Sequence, residues 1–304
     1  MAAGELNHIR DKVFSYHSAG QYHDALSFLK EAQSSYPEFA GDLIFWRLCF
    51  ASLSQDSALA CEVLEGAIAN GIYFPYEILQ ADPDLCFVLL DPQFQMAAAA
   101  SHQEHLERIR HTEFVYRIRE PKDEAKLDGT AILFHGNKSN ADQALDQWRG
   151  SFSTTWRLIA VQSLEPSYSQ HSYLWFNEEA IDSVVAQTVA VVPPDPGPSG
   201  VVLAGFSRGC LPIAKLWQRQ LLRTSGGILI GPAIPKSAMS ILDSTIFPDT
   251  VLCVVGEHDQ FANESAARIK SLAGDGAEIR TVPNLGHDFP QELPSVVSEF
   301  ISNL

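Results

Sequence analysis

The sequence contains no run of about 18 apolar residues, the length a membrane-spanning helix requires. Its opening, MAAGELNHIRDK, carries charges where a secretory leader needs an apolar stretch. Positive charge is also scarce: 21 lysines and arginines stand against 37 aspartates and glutamates, a net charge of −16. Phosphate backbones and anionic lipid are repelled on average by such a chain, so nucleic acid and membrane are not expected partners. Cysteine is sparse. The five residues Cys49, Cys61, Cys86, Cys210 and Cys253 are scattered and form no CxxC pair, so buried thiols in a reducing compartment are expected rather than a disulfide framework or a zinc site. The expectation is a soluble, cytoplasmic protein. What the chain does have is core material: 46% hydrophobic against 19% charged residues excludes a wholly disordered or fibrous protein. Its 304 residues are twice the length of about 150 that serves as a one-domain prior, which leaves room for two domains.

Residues 1–110 read as successive helices. Leu6, Ile9, Val13 and Phe14 are spaced for one helical face, Gly20 interrupts, and Tyr22, Ala25, Leu26, Phe28 and Leu29 make the next. Two further helices are expected around Phe39–Leu53 and Ser57–Asn70, with Gly71 placed as a C-cap. His102 and His105 in the next helix match no metalloprotease spacing and read as a solvated face. The segment from Ala19 to Leu29 resembles the junction of a tetratricopeptide repeat. That resemblance implies a helical-hairpin domain able to bind a protein or peptide partner; a covering role over a catalytic site is the competing expectation.

From residue 111 to 304 short apolar strands alternate with helices. Strands are expected at Phe114–Ile118, Ala131–Phe134, Arg157–Gln162, Val201–Phe206, Gly227–Ile230, Val251–Val255 and Glu278–Val282. Helices are expected at Asn177–Val191, Leu211–Leu222, Asn263–Ala273 and Leu293–Ile301. This grammar predicts an α/β fold, a mostly parallel sheet flanked by helices, preceded by the all-α domain.

The strongest local signal is Gly205-Phe-Ser-Arg-Gly209, which follows the apolar strand Val201–Ala204 and opens a helix. In a strand–turn–helix setting this G-x-S-x-G pattern holds its serine in a strained, exposed turn at a helix N-terminus, although a bland turn would use the same glycines. A serine hydroxyl cannot attack a carbonyl unaided and needs a base, an orienting carboxylate and oxyanion donors. Asp259, in Gly256-Glu-His-Asp259, and His287, in Gly286-His287, each follow an expected strand, so both fall in loops on the rim shared with Ser207. Taken singly, Asp259 reads equally as a helix N-cap and His287 as a surface turn residue. Upstream, Ile132-Leu-Phe-His-Gly136-Asn137 runs off a strand into a polar loop. The amides of Arg208 and Asn137 are the candidate oxyanion donors, with His135 bracing the loop.

With these residues in place the chain resembles the α/β-hydrolase superfamily, and more narrowly the predicted serine esterases of the phospholipase/carboxylesterase type. Leu133-Phe-His-Gly-Asn, Trp148, Trp156, Gln162-Ser163, Tyr173-Leu-Trp175 and Gly205-Phe-Ser-Arg-Gly carry the likeness over about residues 112–304. It implies a nucleophile at Ser207, an acid at Asp259, a base at His287, and neither metal nor organic cofactor. The expected activity is hydrolysis of a small-molecule ester of a small or medium acyl group. A peptidase, amidase or thioesterase would use the same constellation, and a non-catalytic interaction protein is the reading from another class. Two positions depart from the type: Arg208 stands where glutamine is common, and the helical region is an addition. Tyr168, Tyr173, Trp175 and Phe176 could line an acyl pocket or equally pack their loop onto the sheet. Cys210 is expected to be buried beneath the serine turn.

Overall fold

The structure, a computed structural model, describes residues 2–304, which divide into two compact units. The first comprises the chain up to His111 together with the segment Pro166–Ser172; the second comprises Thr112–Glu165 and Tyr173–Leu304. The expectation drawn from the sequence is one boundary, after residue 110. The return of residues 166–172 to the helical unit is a feature that reading along the chain does not reveal.

The helical unit contains α1 (Ala2–Ala19), α2 (Tyr22–Ser35), α3 (Ala40–Leu53), α4 (Ser57–Ala69), α5 (Tyr76–Ala81) and α6 (Pro92–Arg110). Local chemistry sets the breaks. Gly20 takes φ +67° between α1 and α2, a conformation that costs glycine little. Asp56 caps α4 by accepting from the Leu59 amide at 2.9 Å, and Asp91 caps α6 by accepting from the Gln93 and Phe94 amides ahead of Pro92 at the first helical position. Helix α3 is buried along most of its length and serves two cores. Leu43 and Phe50 pack with Ile9, Val13, Ala25 and Leu29, whereas Phe45 and Leu48 pack with Leu64, Phe74, Leu79 and Phe94. Segment 166–172 completes the second core. The Tyr168 ring stacks on Phe45 at 5.5 Å and sits 4.8 Å from Phe74, and the Ser169 hydroxyl donates to Asp42 at 2.7 Å. Gly41 permits this approach, because a Cβ there would lie 2.0 Å from the Tyr168 carbonyl oxygen. The expected solvated face of α6 is corrected. His105 is buried, and His102 Nδ1 accepts from the Tyr76 amide at 3.2 Å, which makes it a cap for α5.

The second unit runs β1 (Tyr116–Arg119), β2 (Gly129–Phe134), α7 (Ala141–Trp148), β3 (Trp156–Val161), β4 (Glu165–Pro166), β5 (Tyr173–Leu174), α8 (Glu178–Val191), β6 (Val201–Phe206), α9 (Cys210–Gln218), β7 (Gly226–Ile230), α10 (Met239–Asp243), β8 (Val251–Gly256), α11 (Gln260–Ala273), β9 (Ala277–Val282) and α12 (Leu293–Ser302). Seven strands form one sheet in the order β1-β3-β2-β6-β7-β8-β9, with β1 antiparallel to β3 and the other pairs parallel. Every residue of β2, β7 and β8 is buried, as a parallel sheet covered on both faces demands. Leu133, Leu158, Val202, Ile228 and Leu252 face one core with Trp148, Trp156, Val297 and Phe300. Chain order reverses between β2 and β6, so the crevice at their carboxyl ends is the topological switch point where ligands of open α/β sheets bind. Among the described residues no helix is long and apolar enough to cross a membrane.

Candidate active site

Ser207 leaves the carboxyl end of β6, the strand beside the switch point, with φ +55°, a left-handed conformation rare for a residue bearing a Cβ. The flanking glycines make the turn possible by close approach. A Cβ on Gly205 would lie 2.8 Å from Ile213 Cδ1 and 2.9 Å from the Gly209 carbonyl oxygen; one on Gly209 would lie 2.4 Å from the His135 carbonyl oxygen. The turn is therefore wedged between α9 and the end of β2, and its serine is held rather than free.

Asp259 and His287 come from the loops after β8 and β9, which are clamped together. The Glu257 amide donates to Val282 O, the His258 amide to Leu285 O, and a Cβ on Gly256 would lie 2.2 Å from the Gly286 carbonyl oxygen. Asn263 Nδ2 donates to the carbonyls of both Gly256 and Asp259. The result is a continuous chain: Ser207 Oγ lies 2.7 Å from His287 Nε2, and His287 Nδ1 lies 2.5 Å from Asp259 Oδ2. With Nδ1–H donating to the carboxylate, the Nε2 lone pair faces the serine hydroxyl. Asp259 Oδ1 meanwhile accepts from the Ala262 amide at 3.1 Å and caps α11, so its two oxygens face different partners. Ser207 and Asp259 are buried, whereas 41% of the His287 side chain is exposed, which opens the site on the imidazole side. Phe206 places its ring 5.1 Å from that imidazole and 4.5 Å from Phe289. Glu257 is engaged elsewhere, its Oε2 accepting from the Asn284 amide at 2.9 Å.

The loop after β2 reaches the serine turn at Gly136, where a Cβ would stand 3.4 Å from Ser207 Cβ. His135 is wholly buried, with Nδ1 bonded to Gly136 O at 2.7 Å and Nε2 accepting from the Ser163 amide at 3.1 Å. Desolvation lowers its pKa to about 4, so it stays neutral and braces the loop. Asn137 Oδ1 accepts from the Trp175 amide, Lys138 N donates to Tyr173 O, and Tyr173 N donates to Ser139 O, so residues 173–175 hold loop 137–139 in place.

These contacts correct part of the expected acyl pocket. Trp175 is fully buried, its Nε1 donating to His135 O at 2.8 Å, and Tyr168 is buried in the core of the helical unit. Neither ring has a face left for substrate; their aromatic surface is consumed by packing. Tyr173 is half-buried, its ring 6.4 Å from His135, and the Arg208 guanidinium covers the half-buried Phe176 ring at 4.6 Å. Sequence reading missed Glu165, a buried carboxylate that accepts from the amides of Phe176 and Asn177 and so orders the chain beside Arg208. Only its isolation between serines and an apolar strand could have flagged it. Cys210 is buried beneath the turn, where desolvation, with Cys253 beside it, raises its thiol well above the ordinary range.

A cleft of about 440 Å³ opens beside the serine turn, between loop 136–139, Phe206 and the exposed face of α7. In the helical unit Cys49, Asp82 and Asp84 bring ligand-type atoms within 4.8 Å of one another. Burial, followed by the two carboxylates, raises the Cys49 pKa, which keeps it a protonated thiol and a poor ligand as it stands.

No protein-family model matches the chain, and no curated protein does. Among solved structures the chain is similar to an uncharacterized protein from Bacillus cereus ATCC 10987, with 19% identity over 97% of each chain and a TM-score of 0.50. It is also similar to esterase PE8, with 17% identity over 63% of this chain and 100% of that one and a TM-score of 0.51. At such identities the likeness is one of fold, the mostly parallel sheet with flanking helices.

Proposed function

We propose that this protein is a serine hydrolase that cleaves carboxylic esters through an acyl-enzyme. The observation that carries the reading is the hydrogen-bonded chain from Ser207 through His287 to Asp259, set on a strained turn at the switch point of the sheet. In this reading His287 Nε2 takes the proton of the Ser207 hydroxyl as Oγ attacks the ester carbonyl, and Asp259 stabilises the imidazolium that forms. The amides of Arg208 and Asn137 receive the negative charge of the tetrahedral intermediate, and the N-terminus of α9 adds positive potential. His287 then hands the proton to the departing alcohol, and water activated by the same imidazole releases the acid. The neutral, braced His135 leaves His287 as the base. The fold shared with esterase PE8 agrees with this assignment without supplying it.

A fluorophosphonate probe is the direct test. The protein should be labelled covalently and hydrolyse short esters, and Ser207→Ala should abolish labelling while lowering kcat by about 10⁵–10⁶. Matching amides and thioesters assayed in parallel identify the preferred leaving group. Labelling that persists in Ser207→Ala would place the nucleophile elsewhere.

A further inference from the structure

The side chains that line the cleft beside the serine turn are mostly polar in type. Ser207 itself does not line it, but two of its lining residues adjoin the serine: Gly136, where a Cβ would stand 3.4 Å from Ser207 Cβ, and Phe206, the residue before it in the chain. From there one wall is the loop carrying Lys138 and Ser139, and the other is α7, whose Gln143, Asp146 and Gln147 fall three and four residues apart and share one helical face. Ser139 Oγ donates to Gln143 Oε1 at 2.8 Å, which ties the two walls together. At about 440 Å³ the space suits a small molecule, yet the usual pocket of that size is lined mainly by apolar side chains, and here Phe206 is the single apolar side chain of the lining. An alkyl chain in this space would strip water from amide, hydroxyl and charged groups and return no hydrogen bonds. A neutral group rich in hydroxyls both donates and accepts. It matches the two glutamine amides, the serine, one cation and one anion, and can lay a C–H face on the Phe206 ring.

Resting on the serine-hydrolase reading above, we propose that this cleft binds the alcohol half of the substrate and that this half is a polyol or sugar. The side is set by Phe206, which lines the cleft and lies 5.1 Å from the His287 ring, the group that would return the proton to the leaving oxygen. In the first step the Ser207 Oγ–acyl bond forms and the acyl–oxygen bond to the polyol breaks. The serine proton passes through His287 to the polyol oxygen; in the second step water takes the acyl group as the free acid.

The test keeps the acyl group constant and varies the alcohol. Full-length protein is assayed on glycerol monoacetate, 6-O-acetylglucose and butyl acetate, beside fluorophosphonate labelling of the same preparation. The polyol esters should exceed the butyl ester in kcat/KM by at least tenfold. Gln147→Leu and Gln143→Leu should each shrink that ratio at least fivefold, and Glu179→Gln, at an exposed site on α8, should leave it unaltered. Labelled protein that treats all three esters alike or prefers the butyl ester overturns the cleft assignment alone, as does a polyol preference indifferent to both glutamine variants. Absence of labelling and of hydrolysis removes the serine reading and this assignment with it.

Discussion

Asp259 divides its two oxygens between a helix and an imidazole, and under the proposed mechanism the division separates structural from catalytic consequences of changing it. In Asp259→Asn the remaining carbonyl oxygen can still accept from the Ala262 amide, but the new amide hydrogens face His287 Nδ1 and force its proton onto Nε2. Under the proposed mechanism a fall in kcat of about 10⁴ with little change in melting temperature is expected, as for a mis-set tautomer in a Ser-His-Asp triad. Glu257→Gln retains an acceptor for the Asn284 amide and should change kcat less than tenfold; the reverse ranking would hand the orienting role to Glu257. His135 offers a test by pH. Its pKa is about 4 folded against 6.5 for the free side chain, so between those values the unfolded chain binds the proton and the folded one does not. Stability should therefore decline as pH falls through that window, by up to about 3 kcal/mol from this residue. Urea melts at pH 7 and pH 4.5 should show a smaller decline in His135→Gln, whatever its baseline stability. Each of these residues was visible in the sequence as a type at a position. Which oxygen of Asp259 serves which partner was not, because that depends on how two loops clamp across Gly256.

At the scale of elements, the serine turn and the helices make opposite predictions for glycine. Gly209→Ala would drive a Cβ to within 2.4 Å of a backbone oxygen and must displace the turn from β2, so loss of activity and a lowered melting temperature are expected together. Gly66, exposed inside α4 with nothing near its missing Cβ, should gain about 0.5–1 kcal/mol on conversion to Ala, measured by urea denaturation. Most elements were legible because apolar period and caps agree, as in β6 and α4. Two departures have local causes. Helix α9 ends at Gln218, before the expected Leu222, because Gln220 turns into the left-handed region at φ +52°, and α11 begins at Gln260 because Asp259 caps it. Helix α7 escaped notice as a short stretch of eight residues, half of them polar, with a cap at Asn140. The aromatics of 168–176 show the limit of pattern: a ring that packs and a ring that binds have the same letter, and only burial distinguishes Trp175 from Phe176.

At the scale of the whole molecule, the segment Pro166–Ser172 is the part that connectivity conceals. Its Tyr168 ring fills a core made with Phe45 and Phe74, so Tyr168→Ala should destabilise the helical unit by about 3–5 kcal/mol, seen as faster amide hydrogen exchange in α3. The sheet fragment 112–304 expressed alone would carry this segment without its partners and should bind a hydrophobic dye that the full chain does not; a clean, dye-negative fragment would contradict the expectation. The same feature constrains how the protein is made. A chain leaves the ribosome from its N-terminus at on the order of 5–20 residues per second, and leading domains ordinarily fold while the next is still being synthesised. Here the leading unit lacks Tyr168, one member of its second core, when His111 emerges, for that residue lies beyond Thr112–Glu165. The expected consequence is that the leading unit reaches its full stability only after the first strands of the sheet have been translated, so that nascent chains ending at 111 resist protease less than chains ending beyond 172.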